Sequence, residues 1–322
     1  MMLDFFSEIK DDLSYIEAQL RGVVTDSHTT LGDAADHLFA AGGKRLRPAF
    51  AVFSARFGRY DLQKVAPLAV AVELIHMATL VHDDLVDGGL IRRGRPTVQA
   101  VWGNRVAIWT GDMLFARAIE IIAGYAEPVV SKRIAATCME VCTGEFAQAE
   151  ASFNPHQSLR GYLGRIRSKT AVLIAAASEL GALVCGAPRI VSKALGQYGL
   201  AVGMAFQVVD DVLDLIADER VLGKATGGDI REGIATLPVI YVLRRNGKGH
   251  DRLKEILCAR EKGESDISEA IRIVEEEGGV SYSLGVARRF VTKAQRALRA
   301  LPDIPSRQKL DAIAEFVVER RF

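Results

Sequence analysis

An excess of charge of one sign is missing from this chain: its 322 residues carry 41 Lys and Arg against 40 Asp and Glu, for a net charge of +1. Without a global field there is no general attraction for nucleic acid or an anionic bilayer, so a charged ligand has to be held by local clusters. Low-complexity tracts are also absent. With 25% charged and 49% hydrophobic residues the composition is that of a folded globular protein. The opening MMLDFFSEIKDDL has neither a basic n-region nor an unbroken apolar h-region, so no secretory signal is expected and a cytoplasmic location is. Uninterrupted hydrophobic runs are lacking too. Glu73 and His76 break the stretch from Val65 to Val81, Ser178 and Glu179 break that from Ala171 to Pro188, and neither reads as a bilayer span. The four cysteines, Cys138, Cys142, Cys185 and Cys258, have no CxxC spacing, which points to small buried thiols rather than a disulfide or a zinc site.

What is present is helical periodicity. Apolar residues recur at three and four throughout, and no run of alternating or β-branched residues bounded by turn signals reads as a strand. The expected fold is all-α: one domain, residues 1 to 322, made of a bundle of about a dozen helices around an apolar interior. Expected helices include 62 to 87, 105 to 123, 128 to 150, 158 to 184, 190 to 216 and 236 to 258. Gly42 and Gly43, Gly88 and Gly89, Gly186 with Pro188, and Gly227 and Gly228 supply stop signals between them.

One short pattern occurs twice. LVHDDLVDGG holds Asp83, Asp84 and Asp87; FQVVDDVLDL holds Asp210, Asp211 and Asp214. Carboxylates at i and i+4 project from one helix face a turn apart, with i+1 flanking them. Three acids at the end of an apolar helix repel one another unless a cation sits among them. With oxygen ligands and no adjacent cysteine, magnesium is the expected ion, because it keeps several waters and completes its shell with phosphate oxygens. Two such clusters at the mouth of an apolar interior could clamp a polyanion through shared metals.

Basic residues stand near both clusters. GGKRLRP supplies Lys44, Arg45 and Arg47 at a helix start, where backbone N–H groups favour phosphate. Arg92 and Arg93 follow Asp87, Lys169 and Thr170 open an apolar run, Gln207 lies one turn before Asp210, and Lys224 sits in GKATGGD, a loop suited to act as a lid. His76 is two turns before Asp83 on the same stripe, and is either a wall of the cavity or an ordinary core histidine.

These residues resemble the trans-isoprenyl diphosphate synthases. GGKRLRP, ELIHMATLVHDDLVDGGLIRRGRPT, GDMLFARA, the Lys169–Thr170 pair, and FQVVDDVLDL with GKATGGD follow in the family's order between Leu31 and Pro238. Within that family the whole chain is most similar to the large catalytic component of two-component heptaprenyl diphosphate synthases. The resemblance implies that the six aspartates hold about three Mg²⁺ ions bridging an allylic diphosphate, which Arg92, Lys169, Thr170, Gln207 and Lys224 also contact. It implies that Lys44, Arg47, His76 and Arg93 hold isopentenyl diphosphate without metal. Thr79 and Ala78, four and five positions before Asp83, would line the tunnel that receives the growing chain; both are small, so a product of about C30 to C40 is implied. The partner would be a second copy or a smaller companion subunit, and the product is membrane-directed. One departure is Ile234, where the family often has a lid lysine. A class I terpene cyclase needs no second cation-lined diphosphate pocket, and a non-catalytic regulatory subunit should have damaged acid clusters; these alternatives fit the sequence less well.

Overall fold

The computed structural model describes residues 5–25, 29–217, 226–245 and 247–319. Sixteen α-helices are found among them, in chain order α1 Lys10–Thr25, α2 Thr30–Ala40, α3 Leu46–Ala55, α4 Leu62–Val86, α5 Val98–Trp102, α6 Asn104–Ala123, α7 Pro128–Ala151, α8 Leu159–Ile166, α9 Val172–Val184, α10 Arg189–Ile216, α11 Gly228–Arg231, α12 Leu237–Arg245, α13 His250–Cys258, α14 Glu264–Glu276, α15 Gly279–Arg299 and α16 Pro305–Glu319. The all-α expectation is met, with differences in detail. The expected helix over 158–184 is interrupted by a wide π turn at Arg167–Ala171. The expected helix over 236–258 stops at Arg245 and restarts at His250. Gly247 and Gly249 lie between, where an added Cβ would meet Glu277 and Ile273 at 2.3 Å.

A strand pair corrects the expectation of none. β1 Ile91–Arg92 pairs antiparallel with β2 Arg95–Pro96. The turn residues Arg93 and Gly94 both have positive φ, +53° and +73°, as the tightest hairpin turns require. Two residues a side are too few to show alternation, which is why the sequence pattern missed them.

The described residues fall into two compact units. One draws on Met1–Cys138, Leu173–Gly199 and Ala297–Ile313, the other on Met139–Val172, Leu200–Arg296 and Ala314–Phe322. The first is organised around α4, which is apolar on every side and packs against α1, α3 and α6. By length and composition α4 could cross a membrane, yet 72% of its apolar window is buried within the protein, as in the core helix of a large bundle. In the second unit α12 packs against α8, α13 and α14.

Pro67 sits inside α4, where it lacks the N–H of a regular helix. The break is mended from outside. The Tyr125 hydroxyl accepts from the Leu68 N–H at 2.9 Å and donates to the Lys64 carbonyl at 2.5 Å, so it is inserted into the helical ladder. Burial raises the Tyr125 phenol well above its ordinary range, so it remains a donor. The expectation of four buried thiols is also corrected: none of the four cysteines is in a disulfide, but Cys142 and Cys258 are exposed, while Cys138 and Cys185 are buried. On α7, Cys142 joins Met139 and Phe146 on an outward face.

Tyr125→Phe should destabilise the protein by about 1–3 kcal/mol by leaving the Leu68 N–H and Lys64 carbonyl without their bridge. In urea unfolding the midpoint should fall with the slope unchanged; an unaltered midpoint would show that the bridge contributes nothing.

Candidate active site

In the first unit, α4 carries His76, Thr79, Asp83 and Asp84, and ends in Asp87, its C-cap. The helix end is tied down by the chain beyond it. Gly89 N–H donates to the Asp84 carbonyl at 2.8 Å, and the Gln99 amide donates to the carbonyls of Asp84 and Gly89 at 2.9 and 2.8 Å. The hairpin then brings Arg92 back, and its Nε donates to Asp84 Oδ1 at 2.7 Å. Burial nevertheless lifts the Asp84 carboxyl above the usual range; Arg92 opposes this and the charges of Asp83 and Asp87 add to it.

The residue before Asp83 explains GDMLFARA. A Cβ at Gly111 of α6 would lie 2.2 Å from Nε2 of His82, so only glycine leaves room for the imidazole, which pairs with Asp112 at 3.5 Å. Ala78, one turn before His82, is 1% exposed. Thr79 is half-buried, its hydroxyl donating to the His76 carbonyl at 2.8 Å.

A cationic pocket adjoins this cluster. Arg45, Glu73, His76, Met77, Leu80, Arg92 and Arg93 line it together with Gly42 and its neighbours. Arg45, in the left-handed conformation at φ +47°, spans it, donating to buried Glu73 at 3.1 Å and to Glu17 at 3.3 Å and lying 4.8 Å over Phe39. Gly43 is held between the guanidinium groups of Arg45 and Arg93, each 3.1 Å from where its Cβ would be. Desolvation first, then Arg47, Arg93, Arg92 and Arg45 in turn, hold His76 well below the ordinary imidazole range. Thus Arg47, His76, Arg92 and Arg93 converge, whereas Lys44 is exposed. The Arg45–Glu73 pair is a feature that motif spacing did not single out; Glu73 as the one acid in a long apolar run was its signal.

In the second unit, α10 carries Gln207, Asp210, Asp211 and Asp214. Both oxygens of Asp211 are used: the Tyr162 hydroxyl donates to one at 2.6 Å and the Gln207 amide to the other at 2.9 Å. Thr170 in turn donates to Gln207 Oε1 at 2.7 Å. Burial pushes the Asp211 carboxyl up to about 7 against these donors and Arg165, with Asp210 raising it further. Arg165 is itself buried, donating to Gln157 at 2.9 Å and to the Ala235 carbonyl at 2.8 Å. Asp214 accepts from the Asp229 N–H at 3.0 Å. Lys169 pairs with Glu145 at 2.7 Å. The π turn carrying Lys169 and Thr170 lies hard against α7, where a Cβ at Gly144 would be 2.7 Å from the Lys169 nitrogen. Tyr162 and Arg165 were not foreseen; the polar residues one and two turns before Lys169 were the available hint. Lys224 lies outside the described residues.

The six acids therefore divide into two kinds. Asp84, Asp211 and Asp214 are buried, while Asp83 and Asp210 are half-buried and Asp87 is exposed. No group of three His, Cys, Asp or Glu side chains among the described residues is gathered as a metal site. The accessible oxygens, Asp83 and Asp87 a turn apart and Asp210 on the other helix, are hard donors of the kind divalent magnesium or calcium takes.

An all-α scaffold that ends two apolar helices in aspartate triplets, with guanidinium groups beside the first, is that of a helical prenyltransferase. The chain belongs to the polyprenyl synthetase family, whose family model matches residues 28–274. It is 42% identical to heptaprenyl diphosphate synthase component 2 of Geobacillus stearothermophilus, with 98% of each chain covered. It is 36% identical to the geranylgeranyl diphosphate synthase of Methanosarcina mazei, with 100% of each covered. Among solved structures, the polyprenyl synthase of Caulobacter crescentus CB15, complexed with calcium and isoprenyl diphosphate, superimposes with a TM-score of 0.94 at 37% identity, covering 100% of this chain and 98% of that one.

The depressed His76 predicts a pH dependence with a definite sign. The unfolded chain takes up a proton at His76 near pH ~6.5 and the folded one does not, so stability is complete above that value and falls as pH drops below it. His76→Gln should flatten the loss between pH 7 and 5, by at most about 1.4 kcal/mol per pH unit. Parallel curves for wild type and variant in urea titrations would show that His76 protonates equally in both states.

Proposed function

We propose that the chain is a trans-polyprenyl diphosphate synthase, adding successive isopentenyl diphosphate units to an allylic diphosphate and making a long product of about C30 to C40. The observation that carries this reading is the convergence of Arg47, Arg92 and Arg93 on neutral His76 directly beside the first acid cluster. Such a cluster of cations can attract a second diphosphate without metal, which chain elongation requires and cyclisation does not. Intact acid clusters likewise favour a catalyst over a regulatory subunit.

In this reading residues 1 to 322 form one catalytic domain, and Asp83, Asp84 and Asp87 with Asp210, Asp211 and Asp214 are the ligands for about three Mg²⁺ ions. Bound there, magnesium would neutralise the allylic diphosphate and make it a better leaving group. Arg92, Lys169, Thr170, Gln207 and Lys224 bind the same group. Lys44, Arg47, Arg93 and His76 hold isopentenyl diphosphate, whose double bond forms the new carbon–carbon bond once the allylic C–O bond has ionised; a proton then leaves to the departed diphosphate. The apolar wall of α4 keeps water from the cation formed on the way. Ile234 in place of a lid lysine leaves Lys224 as the lid cation.

The relatives named heptaprenyl synthase component 2 support a companion subunit, with a second copy of this chain as the other partner reading. A surface for either is on α6, where Ile108, Trp109 and Ile119 are 40–48% exposed, an uncommon density of large apolar groups on one helix face. The buried state of α4 supports a cytoplasmic enzyme whose product alone is bound for the membrane.

The test is turnover of isopentenyl and farnesyl diphosphates with magnesium by the purified chain, alone and with a co-expressed companion. Asp83→Ala and Asp210→Ala should each lower turnover by ~10³-fold or more while leaving the helical circular dichroism intact. Near-normal turnover in either variant would sink the two-cluster assignment. Product length is tested separately: Ala78→Tyr should stop growth near C15 to C20 in a folded protein, because the ring blocks further burial worth ~0.8 kcal/mol per methylene. Unchanged long product would end the tunnel assignment at Ala78, and a loss of ~1–3 kcal/mol in stability without shortening would mark the site as ordinary packing.

A further inference from the structure

Phe153 lies outside every motif that carries the reaction, yet it holds the most constrained position in the second unit. It is one of three described residues other than glycine with positive φ, at +59°. Bulky side chains avoid that region, and a residue kept there is held by its surroundings. The surroundings are specific. Its N–H donates to the Gly233 carbonyl at 2.7 Å. Gly233 has φ +72°, and a Cβ there would be 2.5 Å from the Phe153 ring, so the ring occupies the space that this glycine leaves. The Arg260 guanidinium stands 4.9 Å and the Lys262 ammonium 4.8 Å from the ring centroid, a double cation–π contact.

The segment that the ring fixes runs from Gly227 to Ala235; one of its ends is bonded to the second acid cluster and the other to buried Arg165. At one end the Gly227 N–H donates to the Asp214 carbonyl at 2.7 Å and the Asp229 N–H to the Asp214 carboxylate at 3.0 Å. At the other, the Ala235 carbonyl receives Arg165 at 2.8 Å, and Arg165 is the cation that opposes the burial of Asp211. Lys262 ties the middle as well, donating to the Arg231 carbonyl at 3.1 Å. The ring thus sits at the one point where the segment, its two flanking cations and the loop after α7 meet.

We infer that Phe153 is a positioning residue for the second acid cluster: its strained backbone and its ring, held by Arg260 and Lys262, fix the Gly227–Ala235 segment and through it the carboxylate of Asp214. This rests on the reading of that cluster as the allylic diphosphate site. Phe153 touches no reacting atom. Its effect is on the geometry with which the cluster receives its ligand, where small misplacements have large kinetic consequences.

The experiment compares Phe153→Leu with Phe153→Tyr in the full chain. Leucine keeps apolar bulk without an aromatic face, and tyrosine keeps the face. Phe153→Leu should lower kcat by ~10-fold or more and raise the apparent KM for farnesyl diphosphate by ~5-fold, leave the KM for isopentenyl diphosphate within about twofold, and be rescued in Phe153→Tyr. Amide exchange read by mass spectrometry should speed up over residues 226–236 in Phe153→Leu alone. That readout needs no turnover, so it decides the clamp even where wild type proves inactive with these substrates, an outcome that would overturn the functional reading instead. Unchanged exchange in Phe153→Leu overturns the inference. So does a rise in both KM values together, which marks a general loss of structure.

Discussion

Carboxylates that have been taken out of water at the ends of apolar helices are the constraint on which the rest of this structure depends. α4 and α10 run through the core and finish in aspartates whose charge burial disfavours. Each buried acid is then served by an element that has little other reason to be where it is. For Asp84 that element is a six-residue hairpin, whose turn places an arginine in the left-handed region so that Arg92 can reach back to the helix end. For Asp211 it is Tyr162, Gln207 and, behind Gln207, Thr170; for Asp214 it is the backbone of a short helix start. Removing one partner would leave a buried charge unpaired, which is far more destabilising than losing a surface ion pair.

That arrangement also separates two tasks that look identical in the sequence. Within each triplet some acids are buried while others are half-buried or exposed. The first kind sets where the helix end lies and what surrounds it. The second lies nearer the surface, where solvent or ligand can reach it. Equal spacing in the two motifs thus hides unequal roles, and only the burial of each side chain tells them apart.

What the sequence disclosed is what depends on near neighbours. Helical period, the glycine stops and the i, i+1, i+4 aspartates are local patterns, and they located both acid clusters and the arginines of the first pocket. The hairpin escaped because two residues cannot display a period. The wide turn at Arg167–Ala171 escaped because it keeps the apolar repeat on either side. Tyr162, Arg165 and Phe153 escaped for another reason: their partners Asp211, Ala235 and Gly233 are remote in the chain, and the polar positions in GYLGRIR hint at Tyr162 and Arg165 without pointing to those partners. Gly111 is an intermediate case. It was visible as part of a motif, but its reason, the ring of His82, was not.

The wide turn has a geometric meaning beyond the residues it carries. Eight positions separate Tyr162 from Thr170, and on an ideal α-helix that spacing would leave their side chains about 80° apart around the axis. Both nevertheless address α10, one through Asp211 and the other through Gln207. The turn acts as a phase adjuster: by spending more residues on one revolution it rotates the later part of the segment relative to the earlier part. A helical wheel drawn through 159–184 as a single helix would therefore assign the wrong face to one half of it, and two chains of this kind can be compared residue by residue here only where both contain the same wide turn.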